Sequence, residues 1–387
     1  MLKYLATVMV GQIKLATKSL LARLRRVFVS LILFNHRLQS VIKQGWQLKS
    51  HIREHVVGQA QHHTGFYCLL VMYEPQEKIS RSMRNILGAL NDAGVNIVLL
   101  ANSPLHEAKR DLLIGSCHSI LIRDNQGMDF GAYKDGFFFL KSLAAPTERV
   151  LLLNDSVYYT SHGLHHFVRQ LLFGPDVVAA FKNRDPSVAP HVQSFILSLP
   201  GCVLEQHAMI SFWKTYRPVN NRLVNIEFGE KALSAVLFDL YKVVVVFEPK
   251  RLGDPMLEAS GIDVCRLSRG LDEPPAFARH GFYLPTSFRE FENIEKRNLF
   301  VRDLTNYVEK GSPLHLAPQF FAYFLGSPVW KKDAVYRGQY SFKTYRQLAV
   351  PFFDEEEFSE FSELLQNKGS FDDLPLGWKL RVLAGLS

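Results

Sequence analysis

Two short apolar runs separated by a helix-length segment leave a chain few ways to fold, and residues 119–159 have that form: SILIRDNQGMDFGAYKDGFFFLKSLAAPTERVLLLNDSVYY. Ser119 to Ile122 reads as a strand, Arg123 to Asp129 as a polar turn and Phe130 to Leu143 as a helix. Val150 to Leu153 reads as a second buried strand that ends in Asn154-Asp155-Ser156. Strands joined by such a crossover run parallel. Ligands of open α/β sheets sit beyond the carboxyl ends of these strands. Both polar clusters lie there, so one small volume is expected to collect Asn125, Asp129, Asn154 and Asp155.

Those residue types suit a nucleotide-sugar. Carboxylates and amides grip sugar hydroxyls, and a carboxylate at a strand end helps hold a hard cation that offsets a diphosphate. Gly127 and Gly131 either let the backbone approach a ligand or supply the dihedrals of the turn. Asp129 has a second reading as the cap of the helix beginning at Phe130. Both readings stay open at this stage, although capping does not explain the strand-end Asn-Asp-Ser.

Arg123-Asp124-Asn125-x-Gly127-x-Asp129-Phe130-Gly131-Ala132-Tyr133-Lys134-Asp135-Gly136, followed by Leu152-Leu153-Asn154-Asp155-Ser156-Val157-Tyr158, resembles the rhamnan synthesis protein F family of bacterial glycosyltransferases. His191-Val192-Gln193-Ser194-Phe195 and Ile226-Glu227-Phe228-Gly229 are weaker blocks of the same resemblance, which extends from about Phe66 to about Tyr340. The segment from Pro313 to Tyr340 is similar to a C-terminal block of glycosyltransferases of this kind.

The rest of the chain sets the frame. With 387 residues, 47% of them hydrophobic, it can bury a large core, and its 29 Phe and 14 Tyr are expected mostly inside. Four widely spaced cysteines form neither a zinc framework nor a disulfide scaffold and point to a reducing cytoplasm. The net charge of +8 is concentrated in residues 1–60, where Lys3, Lys14, Lys18, Arg23, Arg25, Arg26, Arg37, Lys43, Lys49 and Arg53 stand against Glu54. Apolar residues between those charges fall at helical spacing. The run from Val27 to Phe34 is too short to span a bilayer, and the basic residues after the apolar stretch argue against a signal peptide. A basic amphipathic helix lying on an anionic membrane surface is one reading of this segment. A solvated helical extension packed on the main domain is the other. No recognition motif accompanies the charge, so nucleic acid is not an expected partner.

Along the main domain, a strand from Phe66 to Tyr73, a helix from Ile79 to Ala93 and a strand from Val95 to Ala101 make the β-α-β opening of a nucleotide-binding fold. Neither GxGxxG nor GxxxxGK[ST] follows the first strand. Val177 to Phe181, Gln193 to Leu197 and Val243 to Phe247 read as further strands, and the polar start of the second is placed to face the pocket through Gln193. Glu227 opens a helix. It is a candidate base for the acceptor hydroxyl in an inverting transfer, or an N-terminal acid favoured by the helix dipole. Lys331-Lys332 reads as solvated surface.

The expected architecture is therefore α/β, Rossmann-like with a mostly parallel sheet: a basic helical extension (1–60), a GT-A-like core (66–250) and a loop-rich, helical C-terminal region (251–387) completing the acceptor side. The resemblance implies transfer of a deoxyhexose, L-rhamnose, from dTDP-L-rhamnose to a lipid-linked or polysaccharide acceptor, on the inner face of the plasma membrane. Arg123, Asn125, Gly127, Asp129, Asn154 and Gln193 would bind the donor, and Asp155 and Glu227 would be catalytic. Asp155 would also meet a divalent metal, Mg or Mn. The strand end reads Asn154-Asp155-Ser156 rather than Asp-x-Asp, so any metal has one carboxylate instead of two, and Arg123 or Lys134 would compensate. A non-catalytic, membrane-docked scaffold that holds a donor or glycan is the alternative.

Overall fold

The structure, a computed structural model, describes residues 27, 29–36, 38, 39, 50–184, 189–268, 271 and 291–383. The basic residues expected to flank the first helix, apart from Arg53, lie outside the described residues. Twelve strands are present among those described: β1 (Ile52–Val57), β2 (Phe66–Met72), β3 (Asn96–Ala101), β4 (Ser119–Arg123), β5 (Arg149–Asn154), β6 (Val157–Tyr159), β7 (Val177–Ala179), β8 (Lys182–Asn183), β9 (His191–Val192), β10 (Ile196–Pro200), β11 (Val243–Val245) and β12 (Val329–Lys331). Eight of them form one sheet in the order β1-β4-β3-β2-β5-β10-β7-β11.

The β-α-β reading holds. β2, β3, β4 and β5 are mutually parallel, with Cys68 opposite both Ile97 and Leu151. Their near-continuous apolar runs follow from burial on both faces. Cys68, Leu70 and Met72 point into one core layer, under the helices Arg81–Asp92 and Leu164–Leu172. Tyr67, Leu69 and Val71 point into the other, against Met128–Leu143, His207–Thr215 and Ala232–Leu240.

Three features depart from expectation. Residues 52–57, inside the segment read as helical, form the edge strand β1, antiparallel to β4. An unpaired β4 edge would leave its backbone groups unsatisfied, and β1 closes it with ion pairs from Arg53 to Asp124 and from Arg110 to Glu54. The sheet is mostly parallel as expected, but β10 runs antiparallel to both β5 and β7. The strand expected over Gln193 to Leu197 begins only at Ile196, as β10, and residues 193–195 turn between it and β9, which pairs with β8 outside the main sheet.

The region after residue 250 is more helical than expected. Met256, Val264, Phe300, Leu304, Phe320 and Phe321 lie in the same core layer as Cys68 and Leu70. A third cluster joins Tyr158 of β6 to Trp330, Tyr345 and Phe361. It is tied by the antiparallel pairing of β6 with β12, Tyr158 opposite Trp330. Near the C-terminus the acidic helix Glu355–Lys368 is started by a capping box between Asp354 and Glu357.

Glycines shape the turn after β4. Gly127 adopts φ +80°, which an L side chain rarely takes, and a Cβ there would also lie 2.5 Å from Pro218. At Gly131 a Cβ would lie 2.0 Å from the Gln126 carbonyl oxygen. Gly131→Ala is therefore expected to destabilise the fold by about 1–3 kcal/mol through overpacking, measured by denaturant unfolding. An unchanged midpoint would show that the turn relaxes freely.

Candidate active site

A cavity of about 650 Å³ lies beyond the carboxyl ends of β4 and β5, within the range of small-molecule sites. Of the residues singled out in the sequence, Asp129, Asn154, Gln193 and Glu227 line it. Arg123, Asn125, Gly127 and Asp155 are not among its lining residues.

Asp129 is the second residue of the helix Met128–Leu143, and Gly127, not Asp129, occupies the cap position. Its carboxylate instead accepts from Asn154 Nδ2 at 2.8 Å. The backbone amide of Ser156 donates to Asn154 Oδ1 at 3.0 Å, which fixes the amide's orientation. The two polar clusters therefore meet through a single hydrogen bond across the strand ends. Burial, then the nearby Asp155 carboxylate, pushes the Asp129 carboxyl up to about 7.

The other acids hold local structure. Asp155 Oδ2 accepts from the Tyr73 amide at 2.7 Å, tying the end of β5 to the residue after β2, and burial raises its pKa. Glu227 lies in the π-helical stretch Asn225–Lys231 and pairs with Lys231 at 2.7 Å. Glu230 Oε1 accepts from Ser194 N at 2.8 Å and Ser194 Oγ at 3.1 Å, holding the bend between β9 and β10. Gln193 Nε2 donates to Ser312 Oγ at 2.8 Å, and its Oε1 has no partner among the described residues.

Arg123 is spent inside the fold. It pairs with Asp135 at 3.0 Å and donates to Asn102 Oδ1 and the Gln126 carbonyl. Lys134 Nζ donates to the Tyr216 carbonyl at 2.7 Å. Gly127 N donates to Asn220 Oδ1 at 2.7 Å. Much of the quoted motif thus builds the turn that presents Asp129.

The cavity's cations come from elsewhere: Arg222, Lys231, Lys331 and Arg337. Lys331, read as solvated surface, is only 8% exposed and lies 3.8 Å from the centre of the Phe195 ring. It is carried in by β12, whose pairing with β6 starts three residues after Asn154. Burial lowers its ammonium to about 8, against the pull of Asp333 and Glu230. Arg222 is lowered to about 10 by burial and by repulsion from Arg337. Burial opposes ionisation of Asp333, but His315 at 2.9 Å, Arg337 and Lys331 outweigh it and hold the carboxyl well below the usual range. Sequence reasoning missed Arg222 and Arg337. The one available signal was the Pro313 to Tyr340 block, which supplies His315, Lys331, Asp333 and Arg337 to the cavity.

The donor set does not fit a resident divalent metal. Asp155 is engaged by the Tyr73 amide, and no group of three or more His, Cys, Asp or Glu residues among the described residues is disposed to hold one. Four cations and four carboxyl groups (Asp129, Glu227, Glu230 and Asp333) line the cavity, Asp129 being only weakly acidic, and such a mixed lining suits an anionic ligand that also carries hydroxyls.

Because its pKa is raised on folding, Asp129 stabilises the protein fully below the unfolded pKa of about 3.9. That contribution is lost as pH rises through about 7. Asp129→Asn is expected to raise the thermal midpoint at pH 8.5 by a few degrees and to change it far less at pH 5. Equal shifts at both pH values would contradict the raised pKa.

Two comparisons bear on identity. An uncharacterized protein, y4gN, of Sinorhizobium fredii (strain NBRC 101917 / NGR234) is 26% identical over 165 residues, 41% of this chain and 43% of the relative. The chain thus spans under half the length of the curated relative it matches. The model of the family described as rhamnan synthesis protein F matches residues 97–262, a span that holds the four quoted blocks but is narrower than the expected one from Phe66 to Tyr340. Those residues include the β4 turn, the β5 end and the Glu227 helix, while β12 and its cations lie outside. Over residues 97–262 the chain is similar to the rhamnan synthesis protein F family.

Proposed function

We propose that the chain is an inverting glycosyltransferase of GT-A-like architecture that moves a deoxyhexose, L-rhamnose, from dTDP-L-rhamnose to a growing lipid-linked or polysaccharide glycan. The observation that carries this reading is the shared cavity: Asp129, joined to Asn154 at the strand ends, lines the same space as Arg222, Lys231, Lys331 and Arg337. The family's description supports polysaccharide synthesis. The choice of sugar and nucleotide follows that description and not any residue's chemistry.

In this reading the acceptor hydroxyl attacks the anomeric carbon while the bond to the nucleoside diphosphate breaks on the opposite face. The departing diphosphate gains negative charge, and fixed cations in a cavity shielded from water stabilise it better than solvent does. Lys331 and Arg222 are the proposed partners, with Arg337 held in place by Asp333. The hydroxyl proton passes to a carboxylate. Asp129 suits that step, because a base whose pKa is near 7 is largely ionised at working pH and still binds the proton well. Glu227, bound to Lys231, is placed to orient the acceptor. Asn154 fixes Asp129, and Gln193 contacts sugar hydroxyls. Asp155 positions the β5 end against Tyr73 and acts on the chemistry only through it.

Nucleotide release from dTDP-L-rhamnose, with a membrane extract as acceptor, tests this directly. Turnover is expected to survive chelation and to rise with pH through about 7. It should fall by about 100-fold or more in Asp129→Asn. Lys331→Met should weaken donor binding about tenfold or more. Donor binding without turnover under any condition would favour the scaffold reading.

A further inference from the structure

We infer that the helical residues 27, 29–36, 38 and 39 form a lipid-docking element that seats its outward apolar stripe on an anionic membrane surface beside the pocket. This helix carries two apolar stripes on opposite faces. Val29 and Leu33 line the cavity, Ile32 is half-buried, and the buried His36 ring lies 4.9 Å from the Phe228 ring. Gln39 Oε1 accepts from Arg217 at 3.4 Å on the same body. Val27, Leu31, Phe34 and Leu38 follow at i, i+4, i+7 and i+11, one stripe turned the other way. They are 59%, 61%, 64% and 49% exposed.

A helix that only walls a pocket needs one apolar face. A second, aligned over three turns and open to water, calls for a partner. Charge selects that partner. No acidic residue precedes Glu54, and Arg23, Arg25, Arg26, Arg37 and Lys43 flank or interrupt the helix in sequence. A second copy of the chain would bring the same positive flank against itself. An anionic lipid surface accepts both the stripe and the charge, as interfacial helices do. No helix among the described residues is long and apolar enough to cross a membrane, so this one lies on the surface rather than through it.

The docking inference stands apart from the transferase reading, but it has a consequence for it. The helix that meets lipid also walls the cavity, so a membrane-borne acceptor reaches the pocket mouth without leaving the bilayer surface.

The test is co-sedimentation of the full chain with vesicles of phosphatidylcholine, with and without phosphatidylglycerol. Binding is expected only with the anionic lipid, and a Leu31→Glu, Phe34→Glu double variant should lose it by about tenfold or more. The uncharged pair Leu31→Ser, Phe34→Ser should also lose most of it, which separates lost apolar contact from added repulsion. Both variants should unfold at the wild-type temperature, since the changed residues are exposed. No binding to anionic vesicles, or binding that both variants retain, would overturn the inference. So would concentration-dependent dimerisation abolished by these substitutions without vesicle binding, because a second copy would then cover the stripe.

Discussion

β6 begins three residues after the polar end of β5 and pairs with β12, a segment more than 150 residues further along the chain. Closing so long a loop has an entropic cost that grows only slowly with length. The aromatic cluster of Tyr158, Trp330, Tyr345 and Phe361 lies at that pairing, with Trp330 and Tyr345 fully buried. Burial of that size offsets the closure cost, since each aromatic side chain removes a large apolar area from water. The pairing also fixes where Lys331, Asp333 and, through its ion pair with Asp333, Arg337 stand. Without it the strand-end acids would face solvent, and the cavity would lose two of its four cations.

The quoted motif has a structural logic of its own. Arg123 and Asp135 are both buried and paired, and Asn102, Gln126 and the His51 amide satisfy their remaining hydrogen-bonding capacity. Such a pair adds little net stability, but removing one partner strands the other charge in the core. It ties the end of β4 to the first turns of the helix that follows, and Gly127 and Gly131 allow the tight path between them. The result is a rigid platform with Asp129 at the cavity wall. The motif's contribution to the cavity is to hold one residue in place.

Much of the fold was legible in the sequence, because its signals were local. The apolar runs of β2 to β5 and the helices between them all carry periodicity within a dozen residues. β1 was missed because a strand recruited to close an edge needs no apolar pattern of its own, and its sequence IREHVV has little. At the site, Asp129 and Asn154 were found because strand-end position alone predicts convergence. Arg123, Asn125, Gly127 and Asp155 were expected in the same volume, but position says nothing of which hydrogen bonds a side chain already owes to the fold. Lys331 was read as surface because a Lys-Lys pair gives no sign that the chain will return to β6.

The account turns on where a nucleotide-sugar's diphosphate rests. A crystal structure with dTDP-L-rhamnose, or with dTDP alone, would locate it. The prediction is a diphosphate within about 3 Å of the Lys331 ammonium and the Arg222 guanidinium, at the distance of charge-assisted hydrogen bonds, with Asp129 facing the sugar. A diphosphate held instead through a metal on Asp155, or a cavity that stays empty while the nucleotide binds elsewhere, would contradict it.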